Sequence, residues 1–424
     1  MKKILLLIVV LITQNVYAQK EVDADYAFTN VSVITMTENK VLRNKNVLVK
    51  DGKIIAITDA NSSALKAKNT INLKGKYIIP SLSDAHVHLP KDESELRKFF
   101  ILNLINGVTK VRSMRGNWNH VTWRKTYNTE TSFYPKLYIS SPPISWKYNF
   151  DDTQLAEYMN SAKKFDFIKI LSIKDEATFR KLNAACVSQN ISLAGHFPKN
   201  VSDNFLFESN YTSFEHLGGL IGRPSLLNDR LQKIKEKNIF ICPTLSWYSV
   251  GSGRYSYEEL RNQAGMKFIP TTTIDSWIEK TTVYREKIGN EAYKEEVKKE
   301  LKTLDEKYKV IKQMHELGIK MLLSPDSSSK YMVNGFGVVG EMKLLKNAGL
   351  NNYQILEMTT RNFADFFNGN YGTIQKGKDA DFLILNDNPL EKLETLHAIE
   401  ALFFNNNYLD RETINKLSKE ILPK

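Results

Sequence analysis

The sequence has little cysteine, and beyond its first residues it has no long hydrophobic run. Two cysteines among 424 residues exclude a disulfide-stapled scaffold. Hydrophobic residues make up 42% and charged residues 25%, which is ordinary for a globular chain and excludes a disordered, collagen-like or coiled-coil protein. The net charge is +12, but the basic residues are scattered and form no nucleic-acid motif. We therefore expect no nucleic-acid partner.

The first residues have the pattern of a secretory signal peptide. Lys2 and Lys3 precede nine apolar residues, Ile4 to Ile12, and Val16-Tyr17-Ala18 then offers a cleavage site before Gln19. The alternative, a membrane anchor, needs about 20 apolar residues. We therefore predict a signal peptide over residues 1–18, export to the periplasm or the extracellular space, and no stable membrane anchor. Cys186 and Cys242 lie in helical and strand-like patterns and are interpreted as core residues, although an oxidising compartment would allow them to pair.

The order of strand and helix patterns predicts an α/β protein with two parts. Short strand patterns at both ends, including a hairpin signal at Asp51-Gly52, predict a small β-sandwich formed by residues 19–80 and 371–424. Between them, strands alternate with helices over residues 81–370, which predicts a (β/α)8 barrel like that of triosephosphate isomerase. The eight candidate strands are Ser83–His88, Val108–Ser113, Lys136–Ser140, Phe165–Leu171, Ser192–His196, Ser213–His216, Phe240–Leu245 and Lys320–Ser324.

One stretch interrupts this alternation, at about residues 246–318, between the seventh and eighth candidate strands. It contains a charged, helix-prone run from Glu279 to Leu317. The pattern is typical of a solvated helical insertion. A lid is the alternative, because the segment leaves the barrel at the end where active sites are built.

The candidate metal ligands begin with Asp84-Ala85-His86-Val87-His88. Alternate side chains of a strand share a face, so His86 and His88 point the same way at the end of the first barrel strand. Two neighbouring imidazoles suit a divalent metal. Elsewhere an H-x-H pair is often two surface histidines, but its position here favours a ligand role.

Four more residues lie at the ends of later strands. His196, His216 and Asp326 end or follow the fifth, sixth and eighth strands, and Lys169 lies in the nearly apolar fourth strand. A buried bare cation is unfavourable there, so Lys169 either extends from a strand edge to solvent or is a neutral amine carboxylated by carbon dioxide. Each residue alone has a structural interpretation, but together they fall where barrel active sites are built.

With these residues the sequence resembles the amidohydrolase superfamily of metal-dependent hydrolases, in its imidazolonepropionase-like and Xaa-Pro-dipeptidase-like branch. The resemblance implies that His86, His88 and Asp326 bind one metal, that His196 and His216 bind a second, and that carboxylated Lys169 bridges the two. Zinc is the expected metal. The motifs that carry the resemblance are PSLSDAHVH at 80–88, GVTKVR at 107–112, FIKI at 167–170, AGH at 194–196, FEHLGG at 214–219, SPDS at 324–327 and GTIQKGKDADFLIL at 372–385.

The expected chemistry is hydrolysis of a C–N bond in a small amide, cyclic amide or dipeptide. Two divalent ions would share a hydroxide, with Asp326 as general base and then general acid. Arg223 and Tyr248 are candidate substrate-binding residues, and Arg112 and Arg115 are similar candidates, although all four could equally be ordinary loop residues. The sequence leaves two alternatives open: a mononuclear deaminase or imidazolone-type hydrolase without carboxylated Lys169, and a catalytically silent metal-binding barrel. A homo-oligomer is compatible with each of these functions.

Overall fold

The computed structural model describes residues 22–62 and 65–423, so the predicted signal peptide, residues 1–18, lies outside the described residues. Among the described residues, no helix combines the length and the apolar character needed to cross a bilayer. The strands are β1 Val22–Val33, β2 Leu42–Lys50, β3 Lys53–Asp59, β4 Leu65–Asn72, β5 Tyr77–Pro80, β6 Leu82–Val87, β7 Val108–Ser113, β8 Lys136–Ile139, β9 Ile168–Ile170, β10 Leu193–His196, β11 Tyr211–Glu215, β12 Phe240–Cys242, β13 Phe382–Leu385, β14 Ala401–Phe404 and β15 Asn407–Leu409. The helices are α1 Leu96–Leu104, α2 His120–Tyr127, α3 Asp152–Ala162, α4 Glu176–Ser188, α5 Asp203–Leu206, α6 Pro224–Glu236, α7 Leu245–Gly251, α8 Tyr257–Arg261, α9 Thr271–Ile288, α10 Asn290–Glu316, α11 Phe336–Asn347, α12 Asn352–Thr359, α13 Arg361–Phe366 and α14 Arg411–Glu420.

The largest sheet joins strands from both ends of the chain. Its order is β15-β14-β13-β5-β1-β2-β3, and β4 pairs with β1 in parallel. Asp51 and Gly52 turn the chain between β2 and β3 with φ of +47° and +70°, the backbone that an Asp-Gly hairpin provides. The buried rings of Phe28, Phe382 and Phe403 pack at centroid distances of 5.0 to 5.3 Å, which joins the two ends of the chain in one core.

The parallel strands between these ends close into a barrel. Strands β6-β7-β8 form one sheet and β9-β10-β11-β12 another. A bridge from Ser140 to Phe167 joins β8 to β9, and a bridge from Ile241 to Met321 joins β12 to the segment that takes the eighth place. The Ala85 N–H donates to the Leu323 carbonyl and returns this segment to β6, so the cylinder is complete.

Several barrel strands are shorter than the sequence predicted. The fourth covers Ile168–Ile170 instead of Phe165–Leu171. The seventh ends at Cys242 instead of Leu245, because α7 begins at Leu245. In the eighth place, the predicted strand Lys320–Ser324 has a single bridge residue, Met321, and Pro325 then removes a backbone donor. The insertion consists of helices, α7 to α10, whose outer half is largely exposed.

Candidate metal centre

The six predicted ligands line one cavity of about 780 Å³ at the carboxyl ends of the barrel strands. Tyr248 and Arg115 also line this cavity, and Arg223 does not. Arg223 is exposed and precedes the first residue of α6. The six predicted ligands that share the cavity are His86, His88, Lys169, His196, His216 and Asp326.

The most compact ligand group consists of His86, His88 and Asp326. The Nε2 atoms of His86 and His88 lie 3.7 and 3.5 Å from Oδ1 of Asp326. His86 lies on β6 and His88 directly follows this strand. Their side chains point the same way, as the alternation of strand side chains predicts. One atom from each of the three residues lies within 4.8 Å of the others, a spacing at which they could hold one ion.

His196 and His216 continue this cluster around the barrel mouth. The ring of His216 lies 5.0 Å from that of His86 and 5.0 Å from that of His196, measured between centroids. His196 ends β10, where Gly195 makes the approach possible because a Cβ at that position would lie 2.1 Å from the carbonyl oxygen of Ile170. The AGH motif therefore needs its glycine to bring β10 against β9.

Lys169 is a buried cation without a hydrogen-bond partner among the described residues. Its side chain is nearly inaccessible, and Nζ contacts no acceptor. Burial lowers the pKa of Lys169 to about 8, although the Glu215 carboxylate opposes the shift. A neutral amine is therefore easier to form here than on an exposed lysine.

The protonation states of the other groups also suit a metal centre. Burial, followed by the charge of Lys169, lowers the pKa values of His88 and His196 to about 4, which leaves both imidazoles neutral at pH 7. Burial raises the pKa of Asp326 to about 7, and its Oδ1 is buried without a hydrogen-bond donor. Neutral imidazoles, a carboxylate oxygen and a partnerless amine together fit divalent cations.

Sequence reasoning missed the residue that orients His86. Nδ1 of His86 lies 2.8 Å from Oε2 of Glu215, which is fully buried. Arg112 and Ser213 donate to the other oxygen of Glu215 at 2.5 and 2.8 Å. A carboxylate on one ring nitrogen holds the other nitrogen towards the cavity, as outer partners of metal-binding histidines do. Glu215 follows Ser213 by two positions on β11, and this inward alternation was the available signal.

The same network corrects one substrate candidate. Arg112 is completely buried, and it also donates from Nε to the Ala85 carbonyl at 2.6 Å. Its donors are therefore occupied by the protein interior, and it is not exposed to a substrate. Arg112 therefore acts on the centre indirectly, by donating to Glu215, which in turn contacts His86.

Thr244 plays the corresponding part for His216. Its hydroxyl donates to the Pro243 carbonyl at 2.8 Å and lies 2.6 Å from Nδ1 of His216. The hydroxyl proton is thus used, so Nδ1 of His216 is the donor and Nε2 keeps its lone pair.

Three residues of the site have left-handed backbone conformations. The φ angles are +64° for His216, +51° for Thr244 and +68° for Asp326. A non-glycine residue in this region is strained by roughly 1–3 kcal/mol, and such strain is concentrated at functional sites. The two cysteines are buried and unpaired, and Cys242 borders the site, because its carbonyl accepts from the His216 N–H at 2.8 Å.

Tyr248 forms part of the cavity wall beside His216. The two rings lie 6.4 Å apart, and Trp247 packs edge-on against Tyr248 at 5.1 Å. On the other side, Nζ of the buried Lys307, from α10, lies 4.0 Å from the centre of the Tyr248 ring. Helix α10 of the insertion therefore reaches the wall of the cavity through this contact.

Comparison with known proteins gives a family match over most of the barrel. The model described as the amidohydrolase family matches residues 148–410. Among curated proteins, a 5-methylthioadenosine/S-adenosylhomocysteine deaminase of Bacillus cereus is 25% identical over 121 residues, 28% of this chain and 24% of its own length. An imidazolonepropionase of Kosmotoga olearia is 35% identical over 66 residues, 16% of each chain. The match thus spans about a quarter or less of the length of these relatives.

Solved structures resemble the whole described fold. A bottromycin amidohydrolase superposes with a TM-score of 0.75 at 17% identity and covers 93% of this chain and 89% of its own. A Xaa-Pro dipeptidase with bound methionine superposes with a TM-score of 0.66 at 14% identity and covers 91% and 99%. At such identities the likeness concerns the fold, and it confirms the predicted barrel with a β-sandwich built from both ends of the chain.

Proposed function

Because the chain belongs to the amidohydrolase family, we propose that it is a metal-dependent hydrolase of carbon–nitrogen bonds in small amides. One observation carries the proposal. Six side chains from five strand ends line a single cavity, and two of their polar atoms, Nζ of Lys169 and Oδ1 of Asp326, are buried without partners. Buried polar atoms without partners are unfavourable unless something absent from the protein chain satisfies them.

Two divalent ions, with zinc the expected metal, would satisfy these atoms. His86, His88 and Asp326 would hold one ion, and His196 and His216 the other. Lys169 would bridge them as a carbamate: its neutral amine attacks carbon dioxide, an N–C bond forms, and one N–H proton leaves to water. When bound, such ions lower the pKa of water and polarise a carbonyl oxygen.

The protein side chains would supply proton transfer and orientation. Asp326, whose pKa burial raises to about 7, accepts a proton from the attacking water and donates it to the leaving nitrogen. Glu215 and Thr244 hold His86 and His216 in the tautomers that direct Nε2 to the cavity. The Tyr248 hydroxyl is the proposed hydrogen-bond donor to the substrate.

A dipeptide or another N-acyl compound is the substrate class that we favour. The cavity is large enough for a molecule of that size. One structural neighbour is a Xaa-Pro dipeptidase with methionine in its active site, so a protein of the same fold accepts a dipeptide.

A deaminase is the second candidate. His86, His88 and Asp326 form a compact group by themselves, which would suffice for one ion. A curated deaminase matches part of the chain, and a deaminase, like an amidohydrolase, breaks a carbon–nitrogen bond. In that case Lys169 would remain an amine.

The experiment that tests the proposal counts metals and measures hydrolysis in the same sample. The purified chain, loaded with zinc in the presence of bicarbonate, is assayed against dipeptides, N-acyl amino acids, lactones and aminopurines. We expect two ions per chain and release of an amino acid. Asp326→Asn should abolish turnover, and Asp229→Asn, at an exposed position on α6, should not change it.

Other outcomes separate the alternatives. One ion per chain with ammonia released from aminopurines would favour the deaminase. Metal binding without turnover of any compound would favour a silent metal-binding barrel. We also propose that the chain is exported. N-terminal sequencing of the secreted protein should then find Gln19 as its first residue.

A further inference from the structure

Two basic side chains at the cavity have no partner among the described residues. Arg115, just after β7, and Lys199, just after β10, both line the cavity and are exposed. Neither makes a hydrogen bond or an ion pair with any residue in the described ranges 22–62 and 65–423. Strands β8 and β9 lie between β7 and β10, so the two cations approach the mouth from separate positions on its rim.

Within the part of the chain that the structure describes, the cavity lining has no acidic side chain at the rim. Glu215 and Asp326 are the acidic residues among the described residues that line the cavity, and both are buried at its base. Glu215 is already paired with Arg112.

The rest of the wall is largely apolar. Met114 and Phe197 precede the two basic residues by one and two positions, and Leu171 and Trp247, which also line the cavity, are 44% and 46% exposed. Covering apolar side chains of this exposure with an apolar group removes their surface from water, which is favourable. The mouth therefore combines positive charge with an apolar surface.

We propose that Arg115 binds a carboxylate of the substrate while Lys199 adds positive charge from another position on the rim, and that the enzyme selects small amides which carry a carboxylate beside an apolar side chain. Arg115 is the main determinant because a guanidinium can hold a carboxylate with two parallel hydrogen bonds, and Lys199 adds a point charge. The net charge of +12 favours the approach of such anions. This inference rests on the proposed function, since it concerns the substrate of the same cavity.

The test compares two probes of nearly the same shape, N-acetyl-L-leucine and its neutral analogue N-acetyl-L-leucinamide. Dissociation constants are measured by calorimetry on the metal-loaded chain, and release of acetate is followed in parallel. For the unaltered chain we expect the acid to bind about tenfold more tightly than the amide or better, the range of a charged hydrogen bond. Raising the salt concentration should weaken binding of the acid and leave binding of the amide unchanged.

Variants assign the preference to the rim. Arg115→Met should remove most of the preference for the acid, Arg115→Lys should keep part of it, and Lys199→Met should have a smaller effect. Lys125→Met, at an exposed position on α2 outside the cavity, is the matched control and should keep the full preference.

The failures of the two proposals can be told apart. Equal binding of acid and amide by the unaltered chain, or an unchanged preference in Arg115→Met, would overturn the rim inference whether or not either probe is hydrolysed. Selective binding that depends on Arg115, without turnover of any amide, would support the rim and count against the hydrolase.

Discussion

Two buried lysines of the same barrel have opposite surroundings. Lys110, on β7, contacts Asp381 just before β13, and Thr109 and Ser81 lie within hydrogen-bond distance of its amine. Lys169, on β9, has no partner at Nζ. Both side chains are almost inaccessible, so burial alone does not distinguish them.

The difference follows from the end of the barrel to which each side chain belongs. Lys110 lies where the barrel meets the large sheet, and its charge is compensated within the protein. Lys169 lies among the histidines at the mouth, where no group of residues 22–62 or 65–423 forms a hydrogen bond with its amine. The base of the barrel is thus built for stability, and the mouth is built to be completed by a ligand.

Replacing Lys169 gives the largest expected effect. Outer partners of metal ligands already account for about 10–100-fold in metal affinity or activity, so Lys169→Met should lower activity by more than about 100-fold and reduce the metal content. Metal analysis and turnover of the best amide substrate are the measurements. Full retention of metal content and turnover would mean that Lys169, like Lys110, has only a structural role.

Replacing Lys110 should instead affect stability. Lys110→Met leaves the Asp381 carboxylate without its counter-ion, and breaking such a buried pair lowers the free energy of unfolding by about 3 kcal/mol. Urea denaturation measures this loss. The double variant Lys110→Met with Asp381→Leu should recover much of the stability, and metal content should be normal in both variants. A metal-deficient Lys110→Met would contradict the separation of the two ends.

A smaller effect is expected for Thr244, which supports the mouth without facing the substrate. Thr244→Val removes the oxygen that accepts from His216 Nδ1, and this should weaken metal binding by about tenfold. Competition with a chelator of known affinity measures the change. Thr244→Ser keeps the hydroxyl and should bind metal normally; equal losses in both variants would indicate a packing effect.

The smallest expected effect concerns the insertion. Lys307→Met removes the cation 4.0 Å from the Tyr248 ring, a contact worth about 1 kcal/mol, so KM should rise about fivefold with little change in kcat. Lys307→Arg should keep most of the wild-type KM. Lys309→Met, exposed on the same helix, is the control. An unchanged KM in Lys307→Met would show that this contact of the insertion does not affect substrate binding.

Much of the site was predictable because strand periodicity is a local property. His86 and His88 share a face for this reason, and Lys169, His196, His216 and Asp326 follow from their positions at strand ends. Glu215 and Thr244 were missed, since what matters for each is one contact with a residue distant in sequence. Arg112 and Arg223 were candidates from residue type and from their predicted loop positions, and the structure places Arg112 in the interior and Arg223 outside the cavity.

The sequence by itself determined the alternation of strands and helices, the Asp51-Gly52 hairpin and which side chains stand at strand ends, because each depends on neighbours a few residues away. The tertiary structure decided which of those side chains meet. It paired Lys110 with Asp381 and left Nζ of Lys169 without a hydrogen-bond partner among the described residues, and it placed Lys307 of the insertion against Tyr248. These outcomes depend on barrel closure and on the contact between barrel and sheet, which bring together residues as distant in the chain as Lys110 and Asp381, 271 positions apart.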